Sequence, residues 1–401
     1  MTYFQRMSTE ERTEFFERAV AEVIDRASFE RLLDSGRRLR WKLGLDPTRP
    51  DLHLGHAVGL RKLRQGARWG HEVILIVGDY TAQIGDPTDK DETRPVLSHE
   101  EVLRNAETYL EQFFRIVPKE NVRIVMQSEW YGSFTLKQTI ELSSRFTVQQ
   151  MLAREEFRKR QTDGRPIPIK DLLYPLMQAY DSVAIQSDIE FGGTDQKFNN
   201  LLGRDLQAQV GQPPQQVFLW NLLPGLDGEK MSKSKRTTGI WLTDPPNEMY
   251  GKVMSLRDDL MPMYFDWATE MPWGEAKKTV AALESRSLKA RDAKRLLART
   301  IVNDLWGADR GEEAERAFDA QFKERVTPPP TKSVTVAGTT VLDALLSTGF
   351  ASSKAEGRHM VQQGGIRLNG EVVKQWTQEL APGENLLQVG RVKVVTVERS
   401  A

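Results

Sequence analysis

Two short runs of this chain carry residue types that suit phosphate chemistry. The first is His53-Leu54-Gly55-His56, set between a strand-like and a helix-like stretch. Backbone N–H groups at a helix N-terminus, together with the helix dipole, make a ready anion site. Gly55 lets a flat ring or a phosphate come close to the backbone, and two imidazoles three residues apart face the same way. Each can donate a hydrogen bond to a phosphate oxygen. The spacing alone leaves a metal pair or a plain helix start open, although the chain has only five histidines and nothing beside them matches a known ligand set. The second run is Lys230-Met231-Ser232-Lys233-Ser234, which follows Pro224-Gly225-Leu226-Asp227-Gly228. Two lysines separated by Met and Ser on a glycine-flanked loop suit a clamp on a polyphosphate, closing as charge develops in a transition state. A lone lysine-rich loop is usually a solvated turn. Both runs on one sheet domain are far rarer by chance.

The elements that must position these residues can be read from periodicity. Ser8 to Leu39 is charged and helical in pattern, with Phe15, Phe16, Ala19, Val20 and Val23 at helical spacing. Leu39 to Leu45 alternates as a strand and stops at Asp46-Pro47, while Val73 to Gly78 and Val122 to Met126 are apolar runs of the kind buried in parallel sheets. Helical stretches lie between them. This succession predicts an α/β fold, a Rossmann-like doubly wound parallel sheet. Residues 130–165 read as a helical insertion in a catalytic domain spanning 1–240, with an N-terminal helical segment over 8–39. An α-helical domain is expected over 241–325, a proline-rich linker over 326–332, and a small α+β unit over 333–401.

Composition narrows the class. The 401 residues hold 56 Lys plus Arg and 56 Asp plus Glu, so a global basic excess of the histone kind is excluded while a local basic face is not. Cysteine is absent, which removes disulfides, thiolate catalysis and cysteine metal sites. No apolar run reaches the roughly 20 residues of a membrane span, and the N-terminus carries acids where a signal peptide needs apolar residues. A cytoplasmic protein is expected.

Together, His53 to His56 and Lys230 to Ser234 resemble the signatures of class I aminoacyl-tRNA synthetases. Gly44-Leu45-Asp46-Pro47-Thr48, Ile84-Gly85-Asp86-Pro87, Gln178-Ala179-Tyr180-Asp181 and Gly192-Gly193-Thr194-Asp195-Gln196 look like the bacterial tyrosyl-tRNA synthetases in particular, over nearly the whole chain. The resemblance implies activation of L-tyrosine by ATP, with Mg2+ as the nucleotide's counter-ion, and transfer to tRNA(Tyr). By position, Thr81, Asp86, Tyr174 and Gln178 would hold the substrate ammonium, Asp181 the phenolic hydroxyl and Gln196 the carboxylate. Gly44, Asp46, Gly55, Gly193 and Asp195 would line the adenylate. His53, His56, Lys230 and Lys233 would stabilise the α-phosphate transition state and the leaving pyrophosphate, with Thr48, Lys90 and Arg94 as further contacts. The resemblance also implies an anticodon-binding role for the helices and a homodimer through the insertion.

Lys42 departs from the pattern, since many members carry there a tyrosine that contacts the substrate hydroxyl. On strand alternation it shares a face with Gly44 and Asp46, so it is expected among the tyrosine-binding residues; pairing with a neighbouring acid is the alternative. The tail from Ser352 to Gly370 resembles an S4-type RNA-binding fold, with Lys354, Arg358 and Arg367 on one surface. His359 stands where family members often have arginine. A tryptophanyl enzyme and a catalytically defunct RNA-binding protein are the rival readings.

Overall fold

A computed structural model describes residues 7–87, 97–231, 237–323, 330, 332–336, 338–390 and 393–399. The chain divides into two compact units, Met1–Gly311 and Glu312–Ala401.

In the first unit, six strands form one sheet: β1 (Val20–Ile24), β2 (Arg40–Leu45), β3 (Glu72–Val77), β4 (Val122–Met126), β5 (Ile189–Gly193) and β6 (Gln216–Trp220). Their order is β1-β6-β5-β2-β3-β4, and every pairing is parallel except β1 with β6. From β2 the chain winds outward to β3 and β4, then returns to the other side for β5 and β6. The reversal lies between β2 and β5, and ligands of such sheets sit there, beyond the carboxyl ends of the strands. Buried strand sequences such as Val73 to Val77 explain why helices cover both faces. Helix Leu54–Arg68 lies close on the sheet because residue 66 is glycine; a Cβ there would run into the Trp41 ring. That close packing fixes the helix whose first turn carries His53 and His56.

The N-terminal segment is not helical throughout. Helix Thr9–Glu17 opens on a Ser8–Glu11 capping box and ends at Arg18; Ala19 then takes a left-handed φ of 59°. Val20 to Ile24 cross to the open edge of β6 instead of continuing the helix. Two valines and an isoleucine suit a strand, and an edge left without a partner is the position such a strand fills.

The insertion is helical, at Leu136–Ser143, Val148–Leu152 and Glu155–Thr162. Helices Pro246–Met254, Met261–Trp267, Trp273–Glu284 and Ala290–Trp306 belong to the same compact unit as the sheet. The outer side of helix Leu54–Arg68 ties them on, with Arg64 2.8 Å from Glu270 and Arg61 3.5 Å from the same carboxylate.

The second unit holds a five-stranded sheet, β7 (Ser333–Val336), β8 (Ile366–Leu368), β9 (Glu371–Val372), β10 (Gly383–Val389) and β11 (Lys393–Arg399), in the order β7-β11-β10-β8-β9. Helices Val341–Ser347 and Lys354–Gln362 share its core with Ile366, Leu387 and Val395. Asn369 and Gly370 both have positive φ, as the two-residue turn between β8 and β9 demands. Most of the 326–332 linker lies outside the described residues. Among those described, no helix is long and apolar enough to cross a membrane.

Candidate active site

A cavity of about 190 Å³ opens at the strand reversal, walled by the ends of β2, β3 and β5 and by the segment after β6. It brings together Gly44, Asp46, Thr48, His53, Gly55, His56, Thr81, Asp86, Tyr174, Gln178, Asp181, Gly193, Asp195, Gln196 and Lys230. These come from points spread over nearly 190 positions of sequence. Lys90, Arg94 and Lys233 lie outside the described residues.

One end of the cavity is a chain of buried hydrogen bonds. Asp46, just past β2, accepts from the Thr81 hydroxyl at 2.7 Å and from the Tyr174 hydroxyl at 2.8 Å. Burial, reinforced by the Asp46 and Asp86 carboxylates, pushes the Tyr174 phenol well above its ordinary range, so it stays a donor. Asp46 thus joins the residues expected around the ammonium to those expected around the nucleotide. Gln127 accepts from the Thr81 amide at 3.0 Å and donates to Asp181 at 2.8 Å. The Trp130 indole donates to the other Asp181 oxygen at 3.2 Å. Asp181 is 2% exposed. Burial raises its pKa from 3.8 to about 7, although the Lys42 charge and the Gln127 bond pull the other way.

Lys42 does not line the cavity. Its ammonium donates to the Gln178 carbonyl at 2.9 Å and the Ser182 hydroxyl at 2.7 Å, and pairs with Glu190 at 2.8 Å. Three partners take its three N–H groups, and both ions are at most 1% exposed. The expectation that Lys42 binds the substrate is therefore corrected. A buried ammonium needs a counter-charge, and Glu190 on β5 supplies it one layer behind Gln178. The pairing alternative is the one the structure adopts.

The other end is more open. His53 caps helix Leu54–Arg68, its amide donates to His56 Nδ1 at 3.2 Å, and the two rings lie 3.9 Å apart. A Cβ at Gly55 would sit 2.9 Å from the His53 ring, so glycine allows the imidazole to fold back over the first turn. Lys230 follows a tight turn in which the Gly225 amide donates to the Glu229 carbonyl at 2.7 Å, and its ammonium reaches Asp195 at 2.7 Å. Asp86 accepts from Gln196 at 2.8 Å and from Arg154 at 3.0 Å.

Gln127, Trp130 and Arg154 were not visible as site residues in the sequence. The first two follow β4 directly, and the carboxyl end of a parallel strand was the available signal. Arg154 had none.

In the second unit, Lys354 and Arg358 are exposed on helix Lys354–Gln362 and Arg367 is exposed on β8. The Arg358 guanidinium lies 5.6 Å over the Trp376 ring, and Arg367 donates to the Gly370 carbonyl at 3.0 Å. His359 bonds to Gln363 at 2.8 Å.

The family model for tRNA synthetases class I (W and Y) matches residues 34–323, and that for the S4 domain matches residues 342–386. A tyrosine–tRNA ligase of Dehalococcoides mccartyi (strain CBDB1) is 46% identical over 382 residues, covering 94% of this chain and 96% of its own. One from Thermotoga maritima is 44% identical over 393 residues, covering 96% and 97%. Among solved structures, tyrosyl-tRNA synthetase complexed with L-tyrosine from Archaeoglobus fulgidus gives a TM-score of 0.62 at 20% identity, over 77% of this chain and 99% of that one. A tryptophanyl-tRNA synthetase from Encephalitozoon cuniculi bound to tryptophan gives 0.60 at 14%, over 76% and 87%. At those identities the superpositions establish the fold and do not separate the two amino acids.

Proposed function

The chain belongs to the tyrosine–tRNA ligases of the class I synthetase family, and from that premise we propose how its residues divide the reaction. The overall activity joins tyrosine to tRNA with ATP. In the first step a tyrosine carboxylate oxygen attacks the α-phosphorus, and pyrophosphate leaves with the electron pair of the broken P–O bond. In the second, a ribose hydroxyl of the tRNA attacks the mixed anhydride and AMP departs. Neither step needs a covalent enzyme intermediate, so positioning and charge stabilisation carry the catalysis.

Asp181 accepts the phenolic hydroxyl of tyrosine, while Thr81, Asp86, Tyr174 and Gln178 surround the ammonium and Gln196 orients the carboxylate. Gly44, Asp46, Thr48, Gly55 and Gly193 line the nucleotide, with Asp195 on its ribose. His53, His56, Lys230 and Lys233 neutralise the transferring phosphate, assisted by Lys90 and Arg94, and Mg2+ enters as the counter-ion of ATP. The observation that carries this division is one cavity with Asp181 at a buried end and the more exposed Lys230–Asp195 pair at the other. A homodimer through residues 130–165 is supported by exposed Leu136, Ile140 and Val148, apolar side chains that a monomer gains nothing by showing to water. Similarity to bacterial tyrosine–tRNA ligases over nearly the whole chain supports a cytoplasmic location. Lys354, Arg358 and Arg367 meet RNA phosphates, and the helices over 241–325 meet the anticodon.

ATP–pyrophosphate exchange with each of the twenty amino acids tests the reading. Exchange with tyrosine alone is expected; exchange with tryptophan, or none at all, would select one of the rivals. Deleting the segment after Pro330 should leave exchange intact and lower tRNA charging at least about tenfold, with a shallower salt dependence of tRNA binding. Normal charging by the truncated protein would make the tail structural only.

A further inference from the structure

Helix Glu155–Thr162 of the insertion has an arginine at either end, and both turn toward one loop of the cavity wall. Arg154, the residue preceding the helix, has a side chain 2% exposed. Its Nη2 donates to Asp86 Oδ1 at 3.0 Å and its Nε to Glu156 at 3.2 Å. Arg160, near the other end, pairs with Asp171 at 2.8 Å and donates from Nη2 to the Pro87 carbonyl at 3.3 Å. Asp86 and Pro87 are thus gripped together, one by its carboxylate and the other by its backbone.

On the opposite side, Gln196 donates to Asp86 Oδ2 at 2.8 Å. One donor on each oxygen fixes the plane of the carboxylate. The Arg154 guanidinium also lies 5.5 Å over Phe157, which limits its freedom to swing away. Its Nη1 is buried with no hydrogen-bond partner among the described residues.

We infer that the segment Arg154 to Arg160 is a brace for the amine-binding carboxylate, and that Arg154 is a positioning residue for recognition of the substrate's α-ammonium. The inference rests on the proposed role of Asp86. Arg154 touches no substrate in this account. It holds Asp86 where a compact ammonium can meet it, so its loss is felt by ligands that carry the amine and not by those that lack it.

The test compares tyrosine with 3-(4-hydroxyphenyl)propanoate, which is tyrosine without its amine, by equilibrium binding to the full-length protein. Arg154→Gln should weaken tyrosine binding at least about tenfold, because Asp86 must then be ordered at the moment of binding. The des-amino ligand should stay within about twofold, and Arg154→Lys should fall between wild type and Arg154→Gln. Equal weakening of both ligands would make Arg154 a general scaffold residue, and unchanged binding would remove any role; either overturns the inference. Tighter tyrosine binding would overturn it as well, showing that Arg154 competes with the ammonium for Asp86. Asp86→Asn separates the levels. If that variant keeps the wild-type preference for tyrosine over the des-amino ligand, Asp86 is not the amine anchor and the brace falls with it. If it loses the preference while Arg154→Gln keeps it, the brace alone is wrong.

Discussion

At the Asp181 end of the cavity, polar side chains are buried and bonded to one another: Asp181 and Thr81 are 2% exposed, and Gln127 links them. At the His53 end, the cation Lys230 is 43% exposed and leans on Asp195, itself 23% exposed. The contrast suits the two tasks proposed for these ends. Phenylalanine fits any space shaped for tyrosine, so rejecting it depends on polar groups that stay unpaired when the hydroxyl is missing. That penalty is large only where water cannot replace the lost partner. A triphosphate brings its own charge and its product must leave, so cations beside solvent serve it well. On the proposed division, rigidity is concentrated at the selecting end and access at the charge-neutralising end.

The largest expected effect comes from breaking the floor of the rigid end. Lys42→Met strands Glu190 as a buried carboxylate, and removing one partner of such a pair costs about 3–5 kcal/mol of stability. Chemical denaturation should show that loss, and Lys42→Met combined with Glu190→Gln should recover more than half. A near-neutral single variant would mean that the pair does not support the selective end. The open end should respond in rate instead. Lys233→Ala is expected to slow adenylate formation about a hundredfold while tyrosine affinity holds within about twofold, the pattern of a contact made chiefly in the transition state. Pre-steady-state kinetics showing an unchanged rate and weakened tyrosine binding would reverse that assignment. A smaller effect comes from pH. Burial lifts Asp181 to about 7, so between about 4 and 7 the folded state holds a proton that the unfolded state has released. Its contribution to stability therefore declines as pH rises through that window. Tyrosine affinity should run the other way, because in the proposed role the ionised carboxylate is the acceptor. It should weaken by up to about tenfold per unit below pH 7 in wild type, and Asp181→Asn should lack that slope. A flat wild-type profile between pH 5.5 and 8 would contradict the assignment.

What could be read from sequence was local. Gly192-Gly193 before Asp195 and His53 to His56 at a helix start declare themselves because close approach and helix entry restrict residue choice within a few positions. The same holds for Asn369-Gly370, where two positive φ angles dictate the pair. Long-range partners were hidden. Lys42 alternates toward the cavity side of β2, and only Glu190, 148 positions later, shows where its charge is satisfied. Val20 to Ile24 lie at the helical spacing of Phe15 and Phe16, and the edge of β6 makes them a strand. Gln216 to Trp220 carries no periodicity long enough to declare an element, and its five residues are recognisable as a strand only by the neighbours they pair with. Arg154 reads as one arginine in a charged helix until Asp86, 68 positions earlier, is seen beside it.

The central claim is that selection resides in Asp181 at the buried end. Its most direct test is the ratio of kcat/KM for tyrosine to that for phenylalanine, measured by ATP–pyrophosphate exchange in wild type, Asp181→Asn and Asp181→Ala. The account predicts that Asp181→Ala lowers the ratio by at least about tenfold, through loss of tyrosine activation and not through gain of phenylalanine binding, with Asp181→Asn between the two. A ratio that survives Asp181→Ala unchanged would place the hydroxyl elsewhere and contradict the division of the cavity into a selecting end and a charge-neutralising end.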